Sequence, residues 1–466
     1  MRHVDLDSLR RYCLLMARFP LNPTIKSFAR IFKESGFSLY VVGGAVRDHL
    51  LGIPIEDYDF TTDARPHEVM ALFRKVIPTG IDHGTVSVHY RGQVYEVTTF
   101  RSEGVYLDNR HPSSVDFITS LEEDLKRRDF TINAFAVDCN TAQTIDLVEG
   151  RSDLDARLIR AIGDPVARFD EDGLRILRAC RIAAKIGFDI EESTLAAMQA
   201  KASNLKAVSG ERIRDELFKL LTGAYVRKGL EYLKESGSLA VILPEVMEGD
   251  GIEQGGMHHE DVLGHGFSTC HWASALGAKV EVRLAALLHD IGKSRTVALG
   301  QGRNTFIGHE EVGSQMTRAI MGRLKTSGET RDLVVDLVAH HMFNYETDWS
   351  DSAVRRFVRR VGLNRLDDLF TLRLADQLAI HGSVDMTLMD ELRARIEGII
   401  KSGDALSVKD LAIGGTALMA LGIPKGPMIG STLSYLLETV LDDPNQNTVE
   451  QLTTIAERYW RLSSTS

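Results

Sequence analysis

Hydrophobic positions along the chain keep two different rhythms, and the change falls near Gly150. Residues 1–37 carry apolar side chains at helical spacing, with Pro20 and Pro23 separating two short amphipathic stretches. From Ser38 the texture becomes short β-branched runs: Leu39–Val42, Ile55–Thr61, Gly84–His89, Val94–Phe100 and Ala134–Val137. Gly, Pro and Asp clusters separate the runs and short helical patterns lie between them, which predicts a mixed α/β head. Beyond Gly150 the strands essentially disappear and apolar residues recur three and four apart, as helices require. A Gly-rich stretch at 248–256 and a polar break at Lys401-Ser402-Gly403-Asp404 interrupt this region. The pattern predicts an α+β chain: a head over 1–150, then all-helical regions over 151–250, 251–400 and 401–466.

Composition narrows the class. The chain has 466 residues and a formal net charge of -10, from 55 Lys+Arg against 65 Asp+Glu. A uniformly basic nucleic-acid coat is excluded, whereas a local basic groove for a polynucleotide is not. Cys13, Cys139, Cys180 and Cys270 are dispersed, which argues against a disulfide framework or a zinc finger and for a reducing cytoplasm. No apolar run approaches a membrane span and the first residues do not open a signal peptide, so a cytoplasmic protein without membrane contact is expected.

Candidate chemistry begins where Leu39–Val42 runs into Gly43-Gly44 and a short helical pattern closed by Gly52. Glycine lets backbone N–H groups approach a phosphate, and a helix start adds partial positive charge. Arg47, one turn in, is expected to pair with phosphate oxygens. Asp57 and Asp59 follow in a strand pattern, where residues two apart share a face. Adjacent carboxylates repel unless a cation lies between them, and Mg²⁺ held by carboxylates and substrate phosphates suits that place. Two such ions would align an attacking hydroxyl and a pyrophosphate leaving group. Glu96 offers a third carboxylate from a neighbouring strand, with a structural role as its alternative.

A helical pattern from Glu171 places Asp172, Arg175, Arg178 and Arg181 every third residue, with Ile176, Leu177, Cys180, Ala183 and Ala184 on the other side. Stacked guanidiniums repel unless an anion neutralises them. A triphosphate is the expected anion, and a salt-bridged surface helix is the alternative. Asp172 with Arg175 suggests a means of choosing bases. Cytosine and adenine present an amino donor beside a ring-nitrogen acceptor, while uracil and guanine reverse the order. A carboxylate only accepts and a guanidinium only donates. The pair would therefore take C and A and leave buried groups unpaired against U and G.

Four ordered motifs resemble one family. Gly43-Gly44-Ala45-Val46-Arg47-Asp48 with Leu51-Gly52 and Asp57-Tyr58-Asp59 comes first, followed by Glu123-Asp124-Leu125-Lys126-Arg127-Arg128-Asp129-Phe130-Thr131-Ile132-Asn133-Ala134. Asp164-Pro165 through Arg178-Ala179 and Glu211-Arg212-Ile213-Arg214-Asp215-Glu216-Leu217 complete the set. Together they resemble class II tRNA nucleotidyltransferases, the CCA-adding enzymes related to bacterial poly(A) polymerases. Gly173 departs from the Pro usual in that family. The resemblance implies template-independent addition of CCA to tRNA from CTP and ATP, with Mg²⁺ in the head. It also implies phosphate contacts at Gly44, Arg47, Arg128, Arg178 and Arg181, and base reading by Asp172 and Arg175. An A-adding enzyme or a poly(A) polymerase carries the same motif set and is the alternative. The polar segment Arg101–Pro112 reads as a mobile loop, which in the family helps switch the pocket from C to A.

Residues 258–381 add a separate constellation: His265, His289-Asp290, His309, His340-His341 and Asp376, with Lys293 nearby. Their contexts resemble the HD phosphohydrolase superfamily. His265, His289, Asp290 and Asp376 would hold a first divalent ion, a transition metal or Mg²⁺. His309 and His340 would hold a second, with His340 preferred to the adjacent His341. Lys293 is expected to stabilise transition-state charge. A second class of function follows from these residues, an HD phosphohydrolase whose head binds RNA. In the tail, Gly426 and Gly430 read as a loop that could approach tRNA phosphates, with a plain helix turn as the alternative. Arg355-Arg356-Phe357-Val358-Arg359-Arg360 is the densest basic patch and a candidate for duplex contact.

Overall fold

The computed structural model describes residues 19–81, 84–103, 115–255, 259–300 and 304–463. Contacts divide the chain into two compact units, residues 1–247 with 323–325, and residues 248–322 with 326–466. Head and neck fall in the first unit, the HD region and tail in the second. No helix among the described residues is long and apolar enough to cross a membrane.

The first unit opens with α1 (Pro23–Glu34), capped by the Asn22 side chain. It buries Ile25, Phe28, Ala29 and Phe32, the one-face spacing of an amphipathic helix. Phe28 stacks on Phe73 at 4.9 Å and meets Phe60 and Tyr95 edge-on or tilted, which seats α1 on the sheet. The expected helical stretch before Pro20 lies outside the described residues.

Strand β1 (Leu39–Val42) leads into helix α2 (Gly44–Leu50), then β2 (Asp59–Thr62), β3 (Val76–Gly80), β4 (Thr85–Tyr90) and β5 (Gln93–Thr99). Helix α3 (Leu121–Lys126) precedes β6 (Ala136–Asp138) and β7 (Thr144–Ile145). The strands form a seven-stranded sheet in the order β3-β4-β5-β2-β1-β6-β7. Pairing is antiparallel except between β2 and β5, which run parallel with Asp59 opposite Glu96.

The strand expected over Ile55–Thr61 begins instead at Asp59. Its ladder partner β1 ends at Val42, opposite Asp59, where the chain turns at Gly43. Asp57 therefore lies in the approach to the strand and not on it. The strand β3 was not expected. A short sheet also pairs Arg101–Glu103 with Val115–Phe117, while residues 104–112 of the expected mobile loop lie outside the described residues.

In the neck, α4 (Pro165–Glu171), α5 (Leu174–Ile186) and α6 (Gly210–Leu221) pack together. The helix expected from Glu171 is broken at Asp172-Gly173: Asp172 is extended and its carboxylate accepts the Leu174 N–H at 3.0 Å. Gly173 packs close to Asn204, and a Cβ there would come within 3.0 Å of its backbone. Strands do not vanish after Gly150, since Leu158–Ile159 pairs in parallel with Asp189–Ile190 and Ala298–Leu299 with Asn304–Thr305.

The second unit holds α7 (Val262–Ala275), α8 (Val280–Leu288), α9 (His309–Arg323), α10 (Gly328–His340), α11 (Asp351–Val361) and α12 (Leu366–His381). Helix α7 packs on α8 and α12, and α8 on α10. Tail helices α13 (Pro427–Asp442) and α14 (Val449–Ser463) enclose a small core of Leu418, Leu436, Leu437, Val440, Leu441, Leu452 and Ala456. Gly430 lies inside α13, not in a loop, and only Gly426 (φ 143) makes the turn before it. The basic patch on α11 faces this tail. Arg355 is buried against Asp404 at 3.0 Å and donates to the Leu441 carbonyl, and Arg356 pairs with Glu438 and Asp442. Arg359 also pairs with Glu438. Arg355, Arg356 and Arg359 thus tie α11 to acidic and carbonyl groups within the unit.

Candidate functional site

The head gathers its chemistry where β1 ends. Gly43 adopts φ +73, a conformation that favours glycine, and starts α2. A Cβ there would lie 3.7 Å from Asp59 Oδ2 and 3.9 Å from Arg128 Nη1. The turn, a carboxylate and a guanidinium are thus adjacent. Glu96 sits in register with Asp59 on the next parallel strand, and both are exposed on the same face.

Asp59 is open to solvent, yet the protein around it raises its carboxyl above the ordinary range, and nearby Asp57 adds to this. Arg128, Arg178 and Lys219 oppose the rise. No hydrogen bond or ion pair holds the carboxylates of Asp57, Asp59 or Glu96 among the described residues. Crowded, unpartnered carboxylates are a donor set suited to a hard divalent cation. Their oxygens do not form a triad within 4.8 Å, whereas the second cluster below contains two such triads.

Arg128 pairs with buried Asp124 at 3.2 Å, and its buried Nε has no hydrogen-bond partner. A buried guanidinium N–H without an acceptor beside the glycine turn is fitted to an anion.

Arg47 lies against the turn, with Nη2 3.4 Å from where a Cβ on Gly44 would stand. It is buried, donates twice to Asp48 at 2.9 and 2.6 Å and once to Asn133 at 2.7 Å. Asp48 also takes Lys185 Nζ at 2.8 Å, and Asn133 donates to Asp129 at 3.2 Å. These partners hold the Arg47 guanidinium beside Gly44 from inside the head. Arg47→Met is expected to destabilise the protein by about 3 kcal/mol, because it strips partners from buried polar groups. Urea denaturation checks this; unchanged stability with weakened nucleotide binding would point to the phosphate role instead.

The stacked arginines of α5 also have partners within the protein. Arg175 pairs with Glu171, Arg178 with Asp129 at 2.6 Å and Arg181 with Glu216 at 2.6 Å. Each of the three guanidiniums thus has a protein carboxylate as partner, as the salt-bridged alternative has it. Burial opposes ionisation of Asp129, but Arg178 outweighs it and holds the carboxyl well below the usual range. Arg178 keeps a half-exposed side chain and its charge is felt at Asp59, so it borders the head site. Asp172 and Arg175 are not paired with each other. Asp172 is held by Leu174 N–H and by Arg212 at 2.8 Å, while Arg175 donates to the carbonyls of Arg168 and Arg127.

The second unit contains a denser cluster. His265, His289, Asp290, His309, His341 and Asp376 are all buried. Two groups have ligand atoms within 4.8 Å, His265–His289–Asp290 and Asp290–His309–His341. Asp290 serves both: Oδ2 lies 3.1 Å from His289 Nε2 and 3.6 Å from His265 Nε2, and Oδ1 lies 3.2 Å from His309 Nε2 and 3.5 Å from His341 Nε2. Asp376 meets His265 at 3.0 Å and His289 at 3.8 Å. His289, His309 and His341 each direct Nδ1 to a backbone carbonyl at 2.7–2.8 Å, which turns Nε2 into the cluster, where those of His309 and His341 lie 3.3 Å apart. His289 Nε2 and Asp290 Oδ1 are buried without hydrogen-bond partners. Burial would raise the Asp290 carboxyl, but His289 and Lys293 hold it well below its ordinary value, and burial pushes His341 down. An anionic carboxylate among imidazoles is the donor set of a divalent metal centre.

His340, expected as a ligand, points elsewhere: it is half-buried, with Nδ1 at the Asp336 carbonyl and Arg360 as its charged neighbour. Consecutive residues at a helix end diverge by about 100°, and His341 takes the site. Lys293 Nζ bonds Asp290 at 2.6 Å and Gln254 at 2.7 Å, at the cluster's edge. Gln254, from the Gly-rich break, was not foreseen.

The head's sheet, turn and carboxylates, with the helical neck and the buried His/Asp cluster, define a nucleotidyltransferase joined to an HD unit. Family models agree: a poly A polymerase head domain matches residues 39–160, a probable RNA and SrmB-binding site of polymerase A matches 187–249, and an HD domain matches 262–392. The CCA-adding enzyme of Streptococcus thermophilus is 35% identical over 421 residues, 90% of this chain and 92% of that protein. The chain belongs to the CCA-adding enzyme family. The enzyme of Streptococcus gordonii is 51% identical over 214 residues, 46% of this chain and 53% of that relative. The solved Bacillus stearothermophilus CCA-adding enzyme in complex with CTP superposes with a TM-score of 0.72 at 29% identity, covering 96% of this chain and 100% of that one.

Proposed function

We infer that the protein extends tRNA 3′ ends with CCA, from CTP and ATP, without a nucleic-acid template, in the cytoplasm. The observation that carries this is the register of Asp59 with Glu96 beside Gly43 and Arg128. Asp57, Asp59 and Glu96 would hold Mg²⁺, which when bound supplies charge neutralisation for the attacking 3′-hydroxyl and the pyrophosphate leaving group. Backbone N–H groups at Gly43-Gly44 and the unpaired Nε of Arg128 bind triphosphate oxygens. Arg178 sits beside the same carboxylates and orients the nucleotide. Asp172 and Arg175 read the Watson–Crick edge of C or A, an acceptor and a donor in fixed order.

The CCA reading is tested with tRNA transcripts lacking the whole tail or only its last A, each given CTP or ATP alone. CTP incorporation on the first and ATP on the second is expected. Failure to use CTP would make the protein an A-adding enzyme or a poly(A) polymerase.

The buried cluster favours a second activity. We propose that His265, His289, Asp290, His309, His341 and Asp376 bind divalent ions, of a transition metal or Mg²⁺, and that the HD unit hydrolyses phosphoesters. Bound metal would supply an activated water, and Lys293 would stabilise charge on the phosphoryl group.

A further inference from the structure

We propose that Arg212 is a positioning residue that aims the base-reading face of Asp172, and so helps set the preference for C and A over U and G. The proposal rests on the base-reading role assigned above to Asp172 and Arg175. Asp172 lies between α4 and α5 in an extended conformation (φ -147, ψ 105); its N–H donates to the Arg168 carbonyl and its carbonyl accepts the Arg175 N–H, so its backbone is fixed at the junction. Two donors hold its carboxylate. Oδ1 accepts the Leu174 N–H at 3.0 Å, and Oδ2 accepts Arg212 Nη2 at 2.8 Å. A carboxylate offers about four acceptor positions, so these contacts fix its plane and leave defined lone pairs for an incoming amino group.

Arg212 is itself anchored. It sits in the first turn of α6, whose Ile213, Leu217 and Leu220 are buried and whose Glu216 pairs with Arg181 of α5 at 2.6 Å. Arg175 is held separately, by Glu171 and by the carbonyls of Arg168 and Arg127. Arg212 therefore acts on the acceptor half of the reading pair and not on the donor half. Removing it frees the carboxylate to rotate, which weakens recognition of an amino donor. Nucleotides that present a carbonyl there gain no equivalent loss.

The test measures kcat/KM for CTP, ATP, UTP and GTP on tRNA primers, for the full-length enzyme and its variants. Arg212→Met is expected to lower kcat/KM for CTP and ATP about tenfold with UTP and GTP little changed, narrowing discrimination by about the same factor. Arg212→Lys, which restores a cationic donor, is expected to recover most of the ratio. An equal loss for all four nucleotides, or an unchanged ratio, overturns the inference. If Arg212→Met does not fold, Arg212→Gln decides by the same ratio. Asp172→Ala separates the two levels of the argument. If it leaves discrimination intact, the base-reading assignment is wrong; if it narrows discrimination and the Arg212 variants do not, only the role of Arg212 fails.

Discussion

Asp59→Ala lowers the rate of CTP and ATP incorporation by about a thousandfold, the effect expected when charge stabilisation worth several kcal/mol is removed from the reacting phosphoryl group. The side chain makes no hydrogen bond or ion pair among the described residues and is exposed at the first residue of β2, so its loss opens no cavity. Its cost falls on chemistry and not on stability. Asp57→Ala should behave alike, although Asp57 precedes the strand. Glu96→Gln keeps the shape of the third carboxylate and removes its charge, so a smaller loss of about tenfold is expected. Single-turnover incorporation on saturating tRNA checks this order. A residual rate above a tenth of wild type for Asp59→Ala would place the reaction elsewhere, and the parallel pairing of Asp59 with Glu96 would then be structural only.

Local chemistry was legible in the sequence, and partnership across the fold was not. The turn at Gly43-Gly44 and the strand before it could be read because glycines, β-branched residues and a helix start are consecutive. The neutralisation of Arg178 and Arg181 could not, because Asp129 and Glu216 come from segments 49 and 35 residues away. The partners of Arg47 are hidden for the same reason: Asn133, which accepts from its guanidinium, lies 86 residues on. Edge strand β3 hid behind Pro78 and an exposed face, since proline is tolerated in a strand only where a ladder bond is not needed. In the second unit, the residues of the buried cluster are legible from their motif contexts, with His341 ranked below its neighbour His340. The choice between His340 and His341 depends on the rotation of α10, which a two-histidine run does not encode.

That rotation gives the HD unit its sharpest prediction. Two groups share Asp290, so Asp290→Ala is expected to abolish metal binding at both positions, and any phosphatase activity with it. His341→Ala removes one buried imidazole whose Nδ1 is already fixed by the Val338 carbonyl. It is expected to lower affinity for the second ion about 10- to 100-fold and to leave the first, held by His265, His289, Asp290 and Asp376. His340→Ala should bind metal as the wild type does, because its ring is turned toward Asp336 and Arg360. Titration of the metal-free protein with Mn²⁺, followed by elemental analysis, distinguishes these outcomes without relying on a substrate. Loss of an ion in His340→Ala, with retention in His341→Ala, would reverse the assignment. CTP incorporation by the head should persist in all three variants, because none of these residues lies in the first unit. A loss of incorporation in step with metal loss would instead show that the two activities are coupled.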